Sequence, residues 1–390
     1  MVSNNTFSEW WPGFASIPHI DKTHNVSPLH LIISIFAAKH VVIVVIGLFF
    51  VDIVYNIFFH PLRHIPGPFL AKFSHAWRNH RYFRGSWHDD TLELHHRYGN
   101  VVRIAPGEVS FVDEHGLKSL YGHGKQVLKT KWYDSWIVPN MTVSFFAATD
   151  VRVHRHLRSR VSGAYSMTSI LAMEPLIQDV MDLNITKLGE FADRGEVVPM
   201  DKWANYFTFD TVGKLAMGGT IGFLEHGKDV DGIIRSIHDG FYLMANMGNV
   251  PFQMFWFNNP LAKWALRTFG GQRLNAFDIF LEWLDERVEE RMTQGLKDGQ
   301  RRDMLQHYIE AKDPQGLPVK KGDVMIEGVN ILGAGADTTT IGILAILGSV
   351  LTNPNAKRKL QEEIDQAYDD LSLDQEHRQI TFKEAELWDG

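Results

Sequence analysis

The chain has 390 residues, of which 45% are hydrophobic, and a formal net charge of -7. This composition is sufficient for a sizeable core and argues against disorder over most of the chain, while the acidic balance lacks the basic footprint that nucleic-acid binding requires. The chain contains no cysteine, so its residues supply no disulfide, no thiolate nucleophile and no thiolate ligand for a metal.

An apolar segment near the N-terminus has the length of a membrane-spanning helix. Residues 41–59 are interrupted only by Asp52 and Asn56, and as a helix they would span about 28 Å, one hydrocarbon core. A second apolar stretch, 29–38, precedes them, so we predict one long tilted helix with a single crossing. The segment starts too late and is too long for a cleaved signal peptide. A buried helix of a soluble protein is the alternative.

The residues on either side of this segment predict its orientation in the membrane and the conformation of the chain that follows it. Lys and Arg are slightly denser after it than before it, which favours a cytosolic C-terminal body and a luminal tail at residues 1–28. We assign the anchor to 29–60 and a proline-rich hinge to 61–69, where Pro61, Pro66 and Pro68 fix φ and remove backbone donors. An ordinary proline-rich linker is the alternative.

The body is predominantly helical in pattern. A β-hairpin is predicted over 100–113, around Ala105-Pro106-Gly107, and an isolated hairpin needs partner strands that no other segment clearly supplies. Apolar residues recur at helical spacing in three further segments. These segments are 170–191, 203–217 and 277–292. The stretch 218–260, rich in Gly, Phe, Met and Asn, is predicted to be a mobile aromatic-lined region: either a substrate lid or a loop packed on the core.

Residues 324–351 form the most informative segment, an apolar helix with a polar island at 337–340. Its apolar character on nearly every face predicts a helix through the centre of the protein. The island carries Asp337, which needs a partner or a solvated cavity when buried, and Thr338, whose hydroxyl can bond within a locally opened turn while facing a ligand.

Three glycines interrupt the same helix, and each costs about 1 kcal/mol relative to alanine. We interpret Gly328, Gly333 and Gly335 as positions where a cofactor approaches the backbone closely. A dinucleotide-binding turn is the rival interpretation, but Thr338 occupies its third glycine position, no acidic residue follows at the required distance, and no βαβ alternation surrounds it. A plain buried helix with small residues for close packing is the other alternative.

The run AGADTT at 334–339 resembles the central helix of cytochromes P450. The proline-rich HPLRHIPGP resembles the hinge of the fungal microsomal members of that family, and 146–166 resembles its propionate-binding helix. Two further runs, FDTVGKLAMGG and NPNAKRKLQEEID, also resemble the family. The resemblance implies a mainly α, partial cytochrome P450 fold with a small β-hairpin and an N-terminal transmembrane helix. Residues 70–390 would form an incomplete domain ending after the helix that follows the central oxygen-binding helix.

The resemblance also implies an activity and a set of roles. Haem b would activate O2 with electrons from an NADPH-cytochrome reductase and insert one oxygen atom into a small lipophilic substrate, at the endoplasmic reticulum membrane, with a single-pass anchor and a cytosolic body. The roles by residue are as follows: Asp337 and Thr338 are the catalytic acid–alcohol pair, Ala334 and Gly335 floor the oxygen pocket, His154 and Arg158 grip a haem carboxylate, and 241–257 cover the substrate.

The sequence departs from the family at its end. After ITFKEAEL it closes with Trp388-Asp389-Gly390, where the family continues into a Glu-x-x-Arg helix and the cysteine-ligand loop. We therefore expect a C-terminally truncated monooxygenase that is inactive as written and has no metal ligand, since none of the nineteen histidines is placed to replace the thiolate. The alternative is a non-catalytic, membrane-anchored remnant or ligand-binding protein.

Overall fold

The computed structural model describes residues 28–386 apart from 126, 139–140, 262–263, 265–267, 269–275, 297–301, 312–317 and 371–379. This part of the chain is mainly helical and contains one two-stranded sheet, which confirms the predicted fold class. The first helices and the strands are α1 (Pro28–Val54), α2 (Ala76–Phe83), α3 (Trp87–Tyr98), β1 (Val101–Ala105), β2 (Glu108–Phe111), α4 (Glu114–Tyr121), α5 (Val151–Val161), α6 (Met167–Arg194) and α7 (Met200–Met217). The remaining helices are α8 (Phe223–His226), α9 (Ile233–Met247), α10 (Gln253–Asn258), α11 (Ala276–Gln294), α12 (Met304–Glu310), α13 (Lys321–Thr352), α14 (Pro354–Asp370) and α15 (Phe382–Ala385).

The chain divides into two compact units. One consists of Met1–Trp136 with Tyr242–Ala265, and the other of Ile137–Phe241 with Leu266–Gly390. Within the described residues, two helices are long and apolar enough to cross a membrane by length and composition alone, Lys39–Phe59 and Lys321–Thr352. The predicted luminal tail lies outside the described residues, except for Pro28.

The first unit contains the N-terminal helix α1 and the hairpin. The two predicted apolar stretches form one continuous helix, α1, which ends in a π-helical turn at Tyr55–Phe59. The following hinge contains a short 3-10 turn at Pro61–His64, so it is less extended than predicted. Beyond that turn, the carbonyl of Pro66 accepts the amide of Arg103 at 2.7 Å.

Arg103 of β1 is completely buried in this unit. Its guanidinium donates to the carbonyl of Asn56, in the π-helical turn that follows α1, at 3.0 Å, and twice to the carbonyl of Pro106 in the hairpin turn. Strands β1 and β2 pair antiparallel, with Val101 opposite Phe111. The predicted hairpin is therefore present, and its buried arginine links it to the end of the N-terminal helix.

The second unit is a helical body built around the packing of α7 on α13. The periodic apolar positions of α6, α7 and α11 face a common core, as their sequence spacing predicts. Its fully buried members include Phe209, Phe223, Phe280, Leu284 and Leu332. The three helices predicted from periodicity are therefore present, each extended by a few residues.

Two predictions about helical segments need correction. The segment 218–260 is largely helical, comprising α8, α9 and α10, because the apolar residues of α9 recur at helical spacing around its one glycine. The central helix α13 is buried mainly in its first half, whereas Ile341, Ile346 and Leu351 are each more than 60% exposed. Uniformly apolar composition therefore did not mean uniform burial.

Candidate active site

The polar island of α13 is built around the carboxylate of Asp337. Its Oδ1 accepts Nδ2 of Asn205, on α7, at 2.9 Å, and its Oδ2 lies 2.7 Å from Nε2 of His238, on α9. The Asp337 side chain is 29% exposed and the His238 side chain 50% exposed. The partner that the sequence required for a carboxylate in this helix is therefore supplied by two other helices.

Asp337 and His238 each stabilise the charged form of the other. Burial raises the pKa of the Asp337 carboxyl, but the hydrogen bond and charge of His238, with the hydrogen bond from Asn205, bring the net pKa below its ordinary value. The hydrogen bond to Asp337 raises the pKa of the His238 imidazole, against the opposing effect of burial. An ionised carboxylate beside a protonated imidazole is the state that both shifts favour.

A second polar contact lies one turn further along α13. The hydroxyls of Thr340 and Thr208, both buried, are 2.5 Å apart, and Nδ2 of Asn205 is 3.4 Å from Thr340 Oγ1. Thr340 also donates to the carbonyl of Ala336. Asn205 and Thr208 are nearly one helical turn apart on α7, so a single face of that helix contacts both Asp337 and Thr340 of α13.

Thr338 lies on a different face of the helix from these contacts. Its side chain is exposed, and its hydroxyl donates to the carbonyl of Ala334, one turn earlier, at 2.9 Å. Ala334, Thr338, Ile341 and Ala345 follow one another at helical spacing, and all are exposed. They form an apolar strip interrupted by one hydroxyl, which we call the exposed strip of α13.

Two of the three glycines of α13 lie where neighbouring helices pack closely against it. A Cβ on Gly333 would lie 2.3 Å from the ring of Phe241, on α9, and one on Gly328 would lie 2.8 Å from Leu284. At Gly335 the nearest atom would be a methyl of Val212 at 3.4 Å, an ordinary contact. Gly328 and Gly333 therefore admit neighbouring helices, which corrects the interpretation that a cofactor requires them.

The two predicted carboxylate-binding residues both lie on α5, one helical turn apart. Arg158 is exposed and His154 is partly buried. The same helix is fixed to the start of α13 by Arg160, whose Nη2 lies 3.4 Å from Oδ1 of Asp323, with both side chains nearly buried. The structure therefore places the two predicted residue sets on two helices of one unit, α5 and α13, joined by an ion pair.

Comparison with known proteins identifies the family. A model of the cytochrome P450 family matches residues 64–382, which include most of the hinge, the hairpin, α5 and the AGADTT run of α13. The chain belongs to the cytochrome P450 family.

Similar fungal proteins cover much of the chain. A cytochrome P450 monooxygenase of Aspergillus terreus is 32% identical over 349 residues, which are 84% of this chain and 68% of that protein. The cytochrome P450 monooxygenase cicH of Emericella nidulans is 27% identical over 336 residues, 83% of this chain and 66% of that protein. A pisatin demethylase of Fusarium vanettenii is 29% identical over 321 residues, 80% of this chain and 61% of that protein. The chain thus spans about two thirds of the length of these curated relatives.

The family implies a haem, and the described residues fit it only in part. The exposed strip of α13 offers an apolar surface, and Arg158 offers an exposed guanidinium for a carboxylate. The 390 residues contain no cysteine, and within the described ranges no cluster of three or more His, Asp or Glu side chains is arranged to hold a metal. The described residues could therefore contact the edge of a haem, but the chain supplies no thiolate ligand for the haem iron.

Sequence reasoning missed the two residues that hold Asp337. Asn205 precedes it by 132 positions and His238 by 99, and nothing in local spacing links them. The available signals were weak: a polar residue inside the apolar segment 203–217 and a histidine beside the apolar stripe of α9. Neither signal indicates that the residue contacts Asp337.

Proposed function

We propose that this chain is part of a haem-dependent monooxygenase that inserts one oxygen atom of O2 into a small lipophilic substrate, with electrons from an NADPH-cytochrome reductase. The observation that carries the proposal is the adjacent pair Asp337 and Thr338. The carboxylate has both oxygens occupied by donors, and the hydroxyl stands on the exposed strip. Membership of the cytochrome P450 family supports the cofactor and the reaction class.

The proposal gives each of the six site residues a role. Asp337 holds a proton-exchanging carboxylate, and Thr338 presents a hydroxyl to the reacting side once its bond to the Ala334 carbonyl is exchanged. The small methyl group of Ala334 and the lack of a side chain at Gly335 keep the floor of the proposed oxygen pocket low. His154 and Arg158 donate to a haem carboxylate. When bound, a thiolate-ligated haem supplies the activation of O2.

The proposal predicts a clear effect of the Asp337 and Thr338 side chains in the natural full-length enzyme. Mass spectrometry of the native protein's C-terminus identifies the chain to be expressed. With a fungal reductase, Asp337→Asn and Thr338→Ala should each lower substrate hydroxylation by about tenfold or more. Thr352→Ala is the matched control, because Thr352 lies on the same helix, is exposed and makes the same bond to the backbone. Equal activity of all three variants and the unmodified enzyme would refute the assigned roles.

We further propose that the 390 residues alone are catalytically inactive, since they offer no thiolate. A membrane-anchored ligand-binding protein is the second candidate function, and the missing cysteine is the observation that favours it. Reduction of the haem-supplemented 390-residue chain under carbon monoxide tests the proposed inactivity. The absence of a thiolate-type spectrum is expected, and its appearance, or any hydroxylation, would overturn this part of the proposal.

For localisation we propose a single pass through the endoplasmic reticulum membrane with the body in the cytosol. The support is the apolar, exposed surface of residues 41–51 in α1, together with the basic residues that follow the anchor. In sealed microsomes, externally added protease should degrade the body and spare a short N-terminal fragment. Protection of the body would contradict this orientation.

A further inference from the structure

A serine and a histidine are hydrogen-bonded to each other in the first unit, between the end of α3 and strand β2. Nε2 of His95 lies 2.8 Å from Oγ of Ser110, and Nδ1 of the same ring lies 2.9 Å from the carbonyl oxygen of Gly99. His95 and Ser110 are both partly exposed. The candidate active site on α13 uses neither residue.

The contact with the backbone decides which nitrogen of the imidazole carries the proton. A carbonyl oxygen can only accept a hydrogen bond, so Nδ1 of His95 donates to Gly99 and holds the hydrogen of the neutral ring. Nε2 then has a free lone pair and accepts the hydroxyl proton of Ser110. A general base needs this polarity toward the hydroxyl that it activates.

The end of α3 holds the imidazole in this orientation. The amide of Gly99 donates to the carbonyl of His95 at 3.0 Å, and Gly99 has a φ of 90°, a left-handed value that favours glycine. His95 and Gly99 are thus joined by two hydrogen bonds, one through the backbone and one through the ring. On the other side, Ser110 lies opposite Val102, a completely buried residue of β1. The hydroxyl, the base and the group that orients the base are therefore all fixed by secondary structure.

Strand β2 also offers a donor for the negative charge that develops on a reacting carbonyl oxygen. The amide of Val112 bonds to the carbonyl of Asn100 at 2.8 Å. Bonded pairs alternate along an antiparallel ladder, so the next bonded pair is Val102 with Ser110. The amide of Phe111 therefore points to the outer edge of β2, and it has no partner among the described residues. An amide directly after a nucleophilic serine can stabilise the oxyanion of a tetrahedral intermediate.

We propose that Ser110 and His95 form a separate reactive site, at which the serine takes the acyl group of an activated ester, an aryl ester or a thioester. Oγ of Ser110 bonds to the acyl carbon as its proton passes to Nε2 of His95, and the bond to the leaving oxygen or sulfur breaks as that atom takes the proton. Water then attacks the acyl-serine while its proton passes to Nε2, and the acid is released as the serine oxygen takes that proton back. The reaction needs no oxidant, reductant or haem, so it is independent of the proposed monooxygenase activity.

The nucleophile is tested with an alkyl fluorophosphonate, which phosphonylates activated serine hydroxyls and releases fluoride, on the complete 390-residue chain in detergent micelles. Peptide mass spectrometry should find the label on Ser110. His95→Gln keeps the serine but removes the base, so the labelling rate should fall by at least about a hundredfold. His96→Gln changes the neighbouring, exposed histidine and should be labelled as fast as the unmodified chain. An unlabelled Ser110, or equal rates in the two histidine variants, would overturn the proposal.

The position of the ring proton is tested without any reaction. Nitrogen NMR of isotope-labelled histidine, with the His95 signals identified by their loss in His95→Gln, should show the proton on Nδ1 at alkaline pH. A proton on Nε2 would make the imidazole a donor to Ser110 and overturn its assignment as the base.

Ser110→Ala separates the acyl-serine step from the geometry of the ring. This variant should keep the proton of His95 on Nδ1, because Gly99 fixes it, and should lower the hydrolysis of p-nitrophenyl acetate at least about tenfold. Hydrolysis at the unmodified rate would refute the acyl-serine step. These measurements need no haem, so they can succeed even if the monooxygenase proposal fails.

Discussion

Arg291 of α11 holds the carboxylate of Asp303, the N-cap of α12, through two parallel hydrogen bonds of 3.0 and 2.9 Å. Their side chains are 8% and 0% exposed. The same guanidinium donates to the carbonyl of Met217, the last residue of α7, at 3.2 Å. One buried ion pair thus connects the ends of three helices, and its planar fork matches the carboxylate geometry.

Removing the cation of this pair should be costly. Arg291→Met leaves the Asp303 carboxylate buried without a counter-charge, which we expect to lower the free energy of unfolding by about 3–5 kcal/mol. Denaturant unfolding followed by circular dichroism measures the loss. Arg287→Met, an exposed position on the same helix, is the control, and a loss no larger than the control's would show that the pair contributes little.

Glu327 of α13 makes stability depend on pH. Burial raises the pKa of its carboxyl from 4.5 to about 7, despite a hydrogen bond from Asn330 and the charge of Arg160. Because the folded-state pKa is raised, the protonated form stabilises the fold at low pH, and this contribution is lost as the pH rises from about 4.5 to 7. Glu327→Gln should therefore stabilise the protein at pH 8, by on the order of 3 kcal/mol, and change little at pH 4.

Thermal unfolding across that range tests the assignment. The unfolding temperatures of Glu327→Gln and the unmodified chain should diverge between pH 4 and 8, with the variant higher at the alkaline end. Glu286→Gln, on the exposed side of α11, should give a constant difference. A constant difference for Glu327→Gln as well would rule out this carboxyl as the source.

Gly67 of the hinge has no room for a side chain. A Cβ there would lie 2.2 Å from the carbonyl oxygen of Arg103, a backbone atom that cannot rotate away. Gly67→Ala should separate the hinge from β1, lower the free energy of unfolding by about 1–3 kcal/mol, and speed hydrogen exchange at the amide of Arg103, which bonds to Pro66. Gly107→Ala, with nothing nearby, should leave that exchange rate unchanged.

Arg103 should also keep the anchor helix at a fixed angle to the hairpin. The chain lacks cysteine, so introduced pairs such as Val44→Cys with Leu117→Cys can carry unique spin labels on α1 and α4. The distance distribution between them should be narrow in the unmodified background and broader with Arg103→Gln, which loses the bond to Asn56. A distribution that does not broaden would show that the anchor is held by other contacts.

Local periodicity was sufficient for much of the fold, because the helices of the core have amphipathic faces that can be read from neighbouring positions. The helix α9 escaped prediction because Gly240 lies in it and aromatic residues obscure its pattern. That glycine accommodates Phe277, whose ring would lie 2.2 Å from a Cβ. Gly240 is therefore needed for helix packing, although a glycine in a sequence usually indicates a loop.

The candidate site was predictable only where its residues are adjacent in sequence. Asp337 and Thr338 belong to one short motif, whereas His238 and Asn205 reach the carboxylate from distant helices. The face of α13 to which each polar residue points also depended on its neighbours. Asp337 and Thr340 point to α7 or α9, and Thr338 points to the exposed strip, although all three share one polar island.

The empty position beside Phe241 has a consequence for the charge at the site. Gly333 fixes how closely α9 lies to α13, and the distance between the imidazole of His238 and the carboxylate of Asp337 depends on that approach. A methyl group added at position 333 is uncharged and would meet the ring of Phe241, yet it would separate His238 from Asp337 and reduce the acidity of Asp337. Steric volume at one residue thus tunes the ionisation of another, one helical turn away.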